Sequence, residues 1–142
     1  NKKFESLSFN LNVNAYHNQI DAFSAVNLYP SINTFSPEKQ TITSGTVKLN
    51  NSFHFPKKLD AQITASYLAP DIIPQGKINS QFFLDIGIKK SIQKGNGELF
   101  LNITDLLNSR VIKKEIQGKT FSYTSANYFE TQVIRLGYTR KF

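Results

Sequence analysis

Apolar and polar side chains alternate with a period of two along most of this 142-residue chain, in six stretches. In the first, Leu7, Phe9, Leu11, Val13 and Ala15 fall on one face and Ser8, Asn10, Asn12 and Asn14 on the other. The second sets Val47, Leu49, Phe53 and Phe55 against Lys48, Asn50, Ser52 and His54, with Asn51 interrupting the apolar side. The third sets Ala61, Ile63, Ala65 and Tyr67 against Gln62, Thr64 and Ser66. In the fourth, Phe82, Leu84, Ile86 and Ile88 oppose Phe83, Asp85, Gly87 and Lys89; in the fifth, Leu99, Leu101 and Ile103 oppose Phe100, Asn102 and Thr104. The last carries Ile134, Leu136, Tyr138, Arg140 and Phe142 on one, largely apolar, parity and Val133, Arg135, Gly137, Thr139 and Lys141 on the other. No 3.6-residue period competes, so the pattern predicts an all-β chain of six half-apolar strands.

Strand length and connection length narrow the class. Soluble strands average about 5–6 residues, whereas a strand crossing an outer membrane at a ~45° tilt needs about 9–11. Several of these alternations approach the longer figure. The connections switch between short and long: Pro56-Lys57-Lys58-Leu59 and Gln93-Lys94-Gly95-Asn96-Gly97 read as tight turns, the latter with glycines that permit positive φ. The segments 17–40, 69–77 and 105–128 are longer and carry no clean alternation. Tight turns on one side and long loops on the other are the habit of outer-membrane barrels. Counting back from Phe142, both tight turns fall on the terminal residue's side.

Composition removes other classes. At 39% hydrophobic and 13% aromatic residues the chain is too apolar for disorder. No run approaches the roughly 20 apolar residues of a membrane helix. Cysteine is absent, which excludes disulfides, zinc knuckles and a thiol nucleophile. Methionine is absent too, and the chain opens on Asn1-Lys2-Lys3-Phe4, so the expectation is a fragment or mature portion of a longer protein. The net charge is +7. Lys57, Lys58, Lys89, Lys90, Lys94, Arg140 and Lys141 gather at the predicted inner end, as a rim facing anionic headgroups would. Aromatics do not interleave with these cations as in a nucleic-acid platform, so no nucleic-acid partner is expected.

Tyr67-Leu68-Ala69-Pro70, Pro74-Gln75-Gly76-Lys77-Ile78, Phe83-Leu84-Asp85-Ile86-Gly87-Ile88-Lys89-Lys90, Leu101-Asn102-Ile103-Thr104-Asp105-Leu106-Leu107-Asn108 and the closing Tyr138-x-x-x-Phe142 follow one another in an informative order. Together they resemble the end of a TonB-dependent-receptor-like barrel, closest to the outer membrane protein β-barrel family. The resemblance spans nearly the whole chain and is strongest in its second half. It implies an antiparallel up-and-down transmembrane β-barrel of about 22 strands around a plug. Residues 1–142 would be its C-terminal part, the last six strands, with plug and earlier strands outside this chain. It implies import of a scarce nutrient energised by TonB, outer-membrane lipid as surroundings, and insertion by the barrel-assembly machinery. Ile134, Leu136, Tyr138 and Phe142 would then be the terminal strand's assembly signal. Arg140 departs from the family's frequent aromatic, and neither plug nor TonB box is present in these residues.

Candidate sites follow from parity. Asn10, Asn12, Asn14, Lys48, Asp85 and Arg135 are expected to face the lumen, where water or a plug solvates charge; on the lipid face they would be costly near the midplane. Phe53, Phe55, Tyr67, Phe82 and Phe142 have lipid-facing parity near strand ends, as an aromatic girdle would. Phe23, Tyr29, Phe35, Phe121 and Tyr123 lie in long loops and are candidates for ligand contact. His17 and His54 are far apart and show no carboxylate or cysteine at ligand spacing, so no metal is expected. No nucleophile–base order, P-loop or dinucleotide fingerprint occurs; neither cofactor nor catalysis is expected. Two other readings compete: a soluble all-β binding module whose apolar face packs on a second sheet, and a barrel with a scaffold role and no transport.

Overall fold

The computed structural model describes residues 6–27, 33–35, 38–74, 76–117, 122–128 and 130–140. Phe142 and Lys141 lie outside them, as do Tyr29 and Phe121. The described strands are β1 (Ser6–Ile20), β2 (Ala25–Asn27), β3 (Asn33–Phe35), β4 (Gln40–Phe55), β5 (Leu59–Leu68), β6 (Asp71–Ile73), β7 (Gly76–Ile78), β8 (Gln81–Ile92), β9 (Gly97–Thr104), β10 (Val111–Gln117), β11 (Ser122–Tyr128) and β12 (Val133–Arg140). Six of them form one sheet in the order β1-β4-β5-β8-β9-β12. Every pairing in it is antiparallel, each strand beside its predecessor in the meander. These six are the alternating stretches of the sequence.

β1 and β4 run further outward than their apolar alternation, to 15 and 16 residues. Their ladder continues through polar pairs such as Tyr16↔Ser44, His17↔Thr43 and Asn18↔Ile42. Backbone hydrogen bonding thus extends β1 and β4 after the apolar face has ended. His17, expected just past the first strand, lies inside it.

Register carries each parity intact across the sheet. One transverse row reads Phe9, Asn51, Ile63, Ile86, Ile103 and Ile134; the next reads Leu7, Phe53, Ala61, Ile88, Leu101 and Leu136. A slip of one residue at any pairing would have mixed the faces. Among the described residues no hydrophobic side chain is buried, and the buried residues with polar side chains are Ser44, Ser66 and Asp105. Phe9 is 71% exposed and Leu136 77%. Among the described residues, therefore, no second layer lies against the apolar face, unlike the sandwich alternative. Tyr67 and Phe82 face each other at its outer end. Phe53 and Phe55 stack at its inner end, ring centroids 6.3 Å apart. From Tyr67 to Leu59 the band covers nine residues, eight steps of ~3.3 Å or ~26 Å along the strand. Tilted by 35–45°, that projects to ~20 Å, comparable with the ~25 Å apolar band of barrels.

The sheet's inner end carries the tight turns. Lys57 and Lys58 both have positive φ, at 66° and 55°. Gln93, Lys94 and Gly95 do so in the second turn. Gly97, expected to supply positive φ there, instead begins β9, packed against Ile92 and Gln93. At the opposite end the long connections are more ordered than the sequence suggests. Strands β6, β7, β10 and β11 form a separate sheet in the order β11-β10-β7-β6, and β2 pairs with β3.

Two phenylalanines interrupt the polar face, and each has a local partner. Phe100 lies directly over Gly137 on the neighbouring strand, where any Cβ would collide with the ring. Replacing Gly137 by leucine should expel that ring and cost about 1–3 kcal/mol. The measurement is denaturant unfolding of the detergent-refolded protein, and adding Phe100→Ala to the same chain should restore part of the loss.

Candidate functional site

The polar face is a continuous surface across the six strands. Its rows include Asn12, Lys48, Ser66 and Phe83, then Asn10, Asn50, Thr64 and Asp85, then Ser8, Ser52, Gln62, Gly87, Asn102 and Arg135. The structure therefore brings Asn10, Asn12, Lys48, Asp85 and Arg135 to one side of one sheet, with Asn14 on the next row outward opposite Thr46. Thr64 donates to the Asn50 amide oxygen across two strands at 2.9 Å.

At the outer rim the controlling residue is Asp105, just past β9. It is fully buried, with φ 49°. Its N–H donates to Asp85 Oδ1 at 2.8 Å. Its carboxylate accepts from the N–H groups of Ser109 and Arg110, at 3.0 and 3.1 Å, and from the hydroxyls of Thr131 and Ser109. Burial alone would raise its pKa, but these donors more than offset that and hold the carboxyl below its ordinary value. Leu106 N–H continues the ladder to Leu84 O, and Ser109 Oγ donates to Phe82 O. The 105–110 turn is thereby fastened along the outer end of β8. Arg110 emerges from it with its guanidinium 4.0 Å from the centroid of the Phe83 ring.

A second carboxylate ties the outer sheet to β1. Tyr16 Oη donates to Asp71 Oδ2 at 2.9 Å, and Asn18 Nδ2 to Asp71 Oδ1 at 3.1 Å. The Asn18 bond is the largest influence on Asp71. Desolvation opposes it, and the Ile72 N–H and Tyr16 hydroxyl assist, so the group lies below its ordinary value. Asn18, Tyr16 and Asn14 share a parity, so β6 crosses the polar side of the sheet at its outer edge.

The inner end corrects the reading of His54. Phe55 pairs with Leu59 around the 56–58 turn, which sets His54 opposite Asp60. His54 Nδ1 lies 2.7 Å from Asp60 Oδ1. A carboxylate partner six residues away was thus concealed by the turn. Lys89 pairs with Glu98 close by, and a concavity of about 530 Å³ opens between these four residues, Phe100 and Asn102.

Three of the loop aromatics lie on different outer elements among the described residues. Phe23 follows β1 and is 41% exposed; Tyr123 lies on β11, opposite Ile116; Phe35 is in β3, opposite Ala25. Tyr29 and Phe121 lie outside the described residues. In the terminal strand Ile134, Leu136 and Tyr138 face Ile103, Leu101 and Leu99 on the apolar side, whereas Phe142 is not among the described residues.

A model of the outer membrane protein beta-barrel family matches residues 1–139. The chain belongs to that family. No curated protein and no solved structure was found to match it. Family membership places the protein in the outer membrane, with membrane lipid as its surroundings. That agrees with an apolar sheet face that no described residue covers.

Asp105→Asn should leave one of the buried donors without an acceptor and cost about 1–3 kcal/mol. The readout is proteolysis of the 105–132 segment in intact protein, expected to accelerate in the variant. Because Asp71 and Asp105 are held below their unfolded values, their contribution is present above about pH 4 and is lost as pH falls through the folded values. Cleavage of the outer sheet should therefore rise below about pH 4 in the parent chain, and less steeply in a chain already carrying D105N, where Asp71 is left to titrate.

Proposed function

We propose that this chain supplies six adjacent strands of a larger outer-membrane barrel, of the TonB-dependent-receptor type, that imports a nutrient ligand. The observation carrying this reading is a predominantly polar face opposite a predominantly apolar one on the same six-stranded sheet. In a barrel the first lines a lumen and the second meets lipid. Asn10, Asn12, Asn14, Lys48, Asp85 and Arg135 then face the lumen. Their amides and charges suit a wet wall or the surface of a plug.

β1 and β12 are the two edges of the sheet, without a partner strand among the described residues. Lipid cannot satisfy their outward N–H and C=O groups, so both edges need further strands. About 22 strands in all would give a lumen wide enough for a plug. The inner turns and basic rim face the periplasm, where TonB would act through the parent protein. The outer sheet faces the medium, and the barrel-assembly machinery would insert the terminal strand. The outer sheet and polar wall serve recognition and passage; no catalytic role is assigned to them.

Import makes a paired genetic prediction. Deleting the gene for the full-length protein and deleting the TonB gene should give the same growth defect on one limiting iron, vitamin or glycan source. Growth of the receptor deletion equal to wild type on every such source, with the barrel shown to be expressed, would favour a scaffold role.

A further inference from the structure

We propose that the outer part of the polar face binds an oxyanion, a carboxylate or phosphate group on a solute, between Arg110 and Lys48. The inference deepens the import reading and rests on the polar face being a lumen wall.

The site is built before any ligand arrives. Arg110 is fixed at its backbone by the bond from its N–H to Asp105 and at its side chain by stacking on Phe83. A guanidinium covered on one face by a ring keeps its N–H edges available, and those edges match an oxyanion bidentately. Phe83 lies on the same transverse row as Lys48, with Ser66 between them. Two strand spacings of ~4.8 Å separate the Lys48 and Phe83 backbones by ~10 Å. An ammonium and a guanidinium on long side chains can close on one small anion across that gap.

Hydrogen-bond accounting gives the sign of the ligand. The acids around the mouth are already engaged: Asp71 with Tyr16 and Asn18, Asp85 with the Asp105 N–H, and Asp105 with Ser109, Arg110 and Thr131. Among the described residues, the ion pairs are Lys39–Asp21, His54–Asp60 and Lys89–Glu98, so neither Lys48 nor Arg110 has a carboxylate partner. Asp85 lies on the same face one row inward of Lys48 and Phe83. Selectivity comes from the unspent donors, with Asn12 beside Lys48 adding an amide.

The test uses the full-length protein in detergent, with citrate as the probe in isothermal titration at low ionic strength. Citrate should bind, and Arg110→Gln and Lys48→Gln should each weaken it about tenfold or more, as loss of a charge-assisted hydrogen bond implies. Phe83→Leu should weaken it while leaving both charges in place. Lys113→Gln, which removes an exposed cation from the outer sheet, should leave it unchanged. Absence of citrate binding, or an equal loss in K113Q, overturns the site. Reaction of K48C with a charged maleimide reads the lumen assignment separately. Labelling without citrate binding rejects the anion site and keeps the barrel; reaction of K48C with a lipid-soluble maleimide but not with the charged one rejects the lumen wall beneath both.

Discussion

The structure depends on what lies against a single sheet whose greasy face is left uncovered by the described residues. Backbone groups within the sheet are satisfied by their neighbours, so the remaining question is the medium on each side. Leu7, Phe9, Leu11, Val13, Ile134 and Leu136 are each more than half exposed. Full transfer of such a side chain from water to an apolar medium is worth about 1.5–3 kcal/mol, so the exposed fractions of these six alone represent roughly 6–12 kcal/mol. That equals the whole net stability of an ordinary domain. In water this sheet would collapse or pair with another; in hydrocarbon the same face costs nothing.

That constraint organises the ends as well. Lys90 and Arg140 share the apolar parity but lie at its inner margin, where a long stem can follow the lipid and lift its charge to the boundary. The outer margin is closed by Asp105, whose donors come from the 105–110 turn and from Thr131 beside β12. One buried carboxylate therefore joins the spanning sheet to the outer sheet and fixes the stem of Arg110.

Parity was legible in the sequence because lipid and water impose opposite demands on consecutive residues. Leu7 to Ala15 and Phe82 to Lys89 could hardly be read otherwise. Pairing arithmetic was also available: a three-residue turn at 56–58 sets His54 against Asp60, although spacing along the chain alone conceals it. The outer sheet was less legible. Ser122 to Tyr128 has no apolar face, and its strand exists through backbone pairing with β10 rather than through a side-chain pattern. Asp105 was invisible as a hub because its partners, Asp85, Ser109, Arg110 and Thr131, come from three separate segments. Nor does Phe83 announce in sequence that it is the platform for Arg110.

The most direct test of the two-media account is spin-label accessibility on the full-length protein in lipid bilayers. Labels would be placed in turn at Leu11, Leu49, Ile86 and Leu136, and at Asn50, Thr64 and Asn102. The first set should relax strongly with dissolved oxygen and weakly with a water-soluble nickel chelate, and the second set should show the lower oxygen-to-nickel ratio of an aqueous or plug-facing wall. Equal ratios on the two faces, or apolar positions shielded from both reagents as in a packed interior, would contradict it.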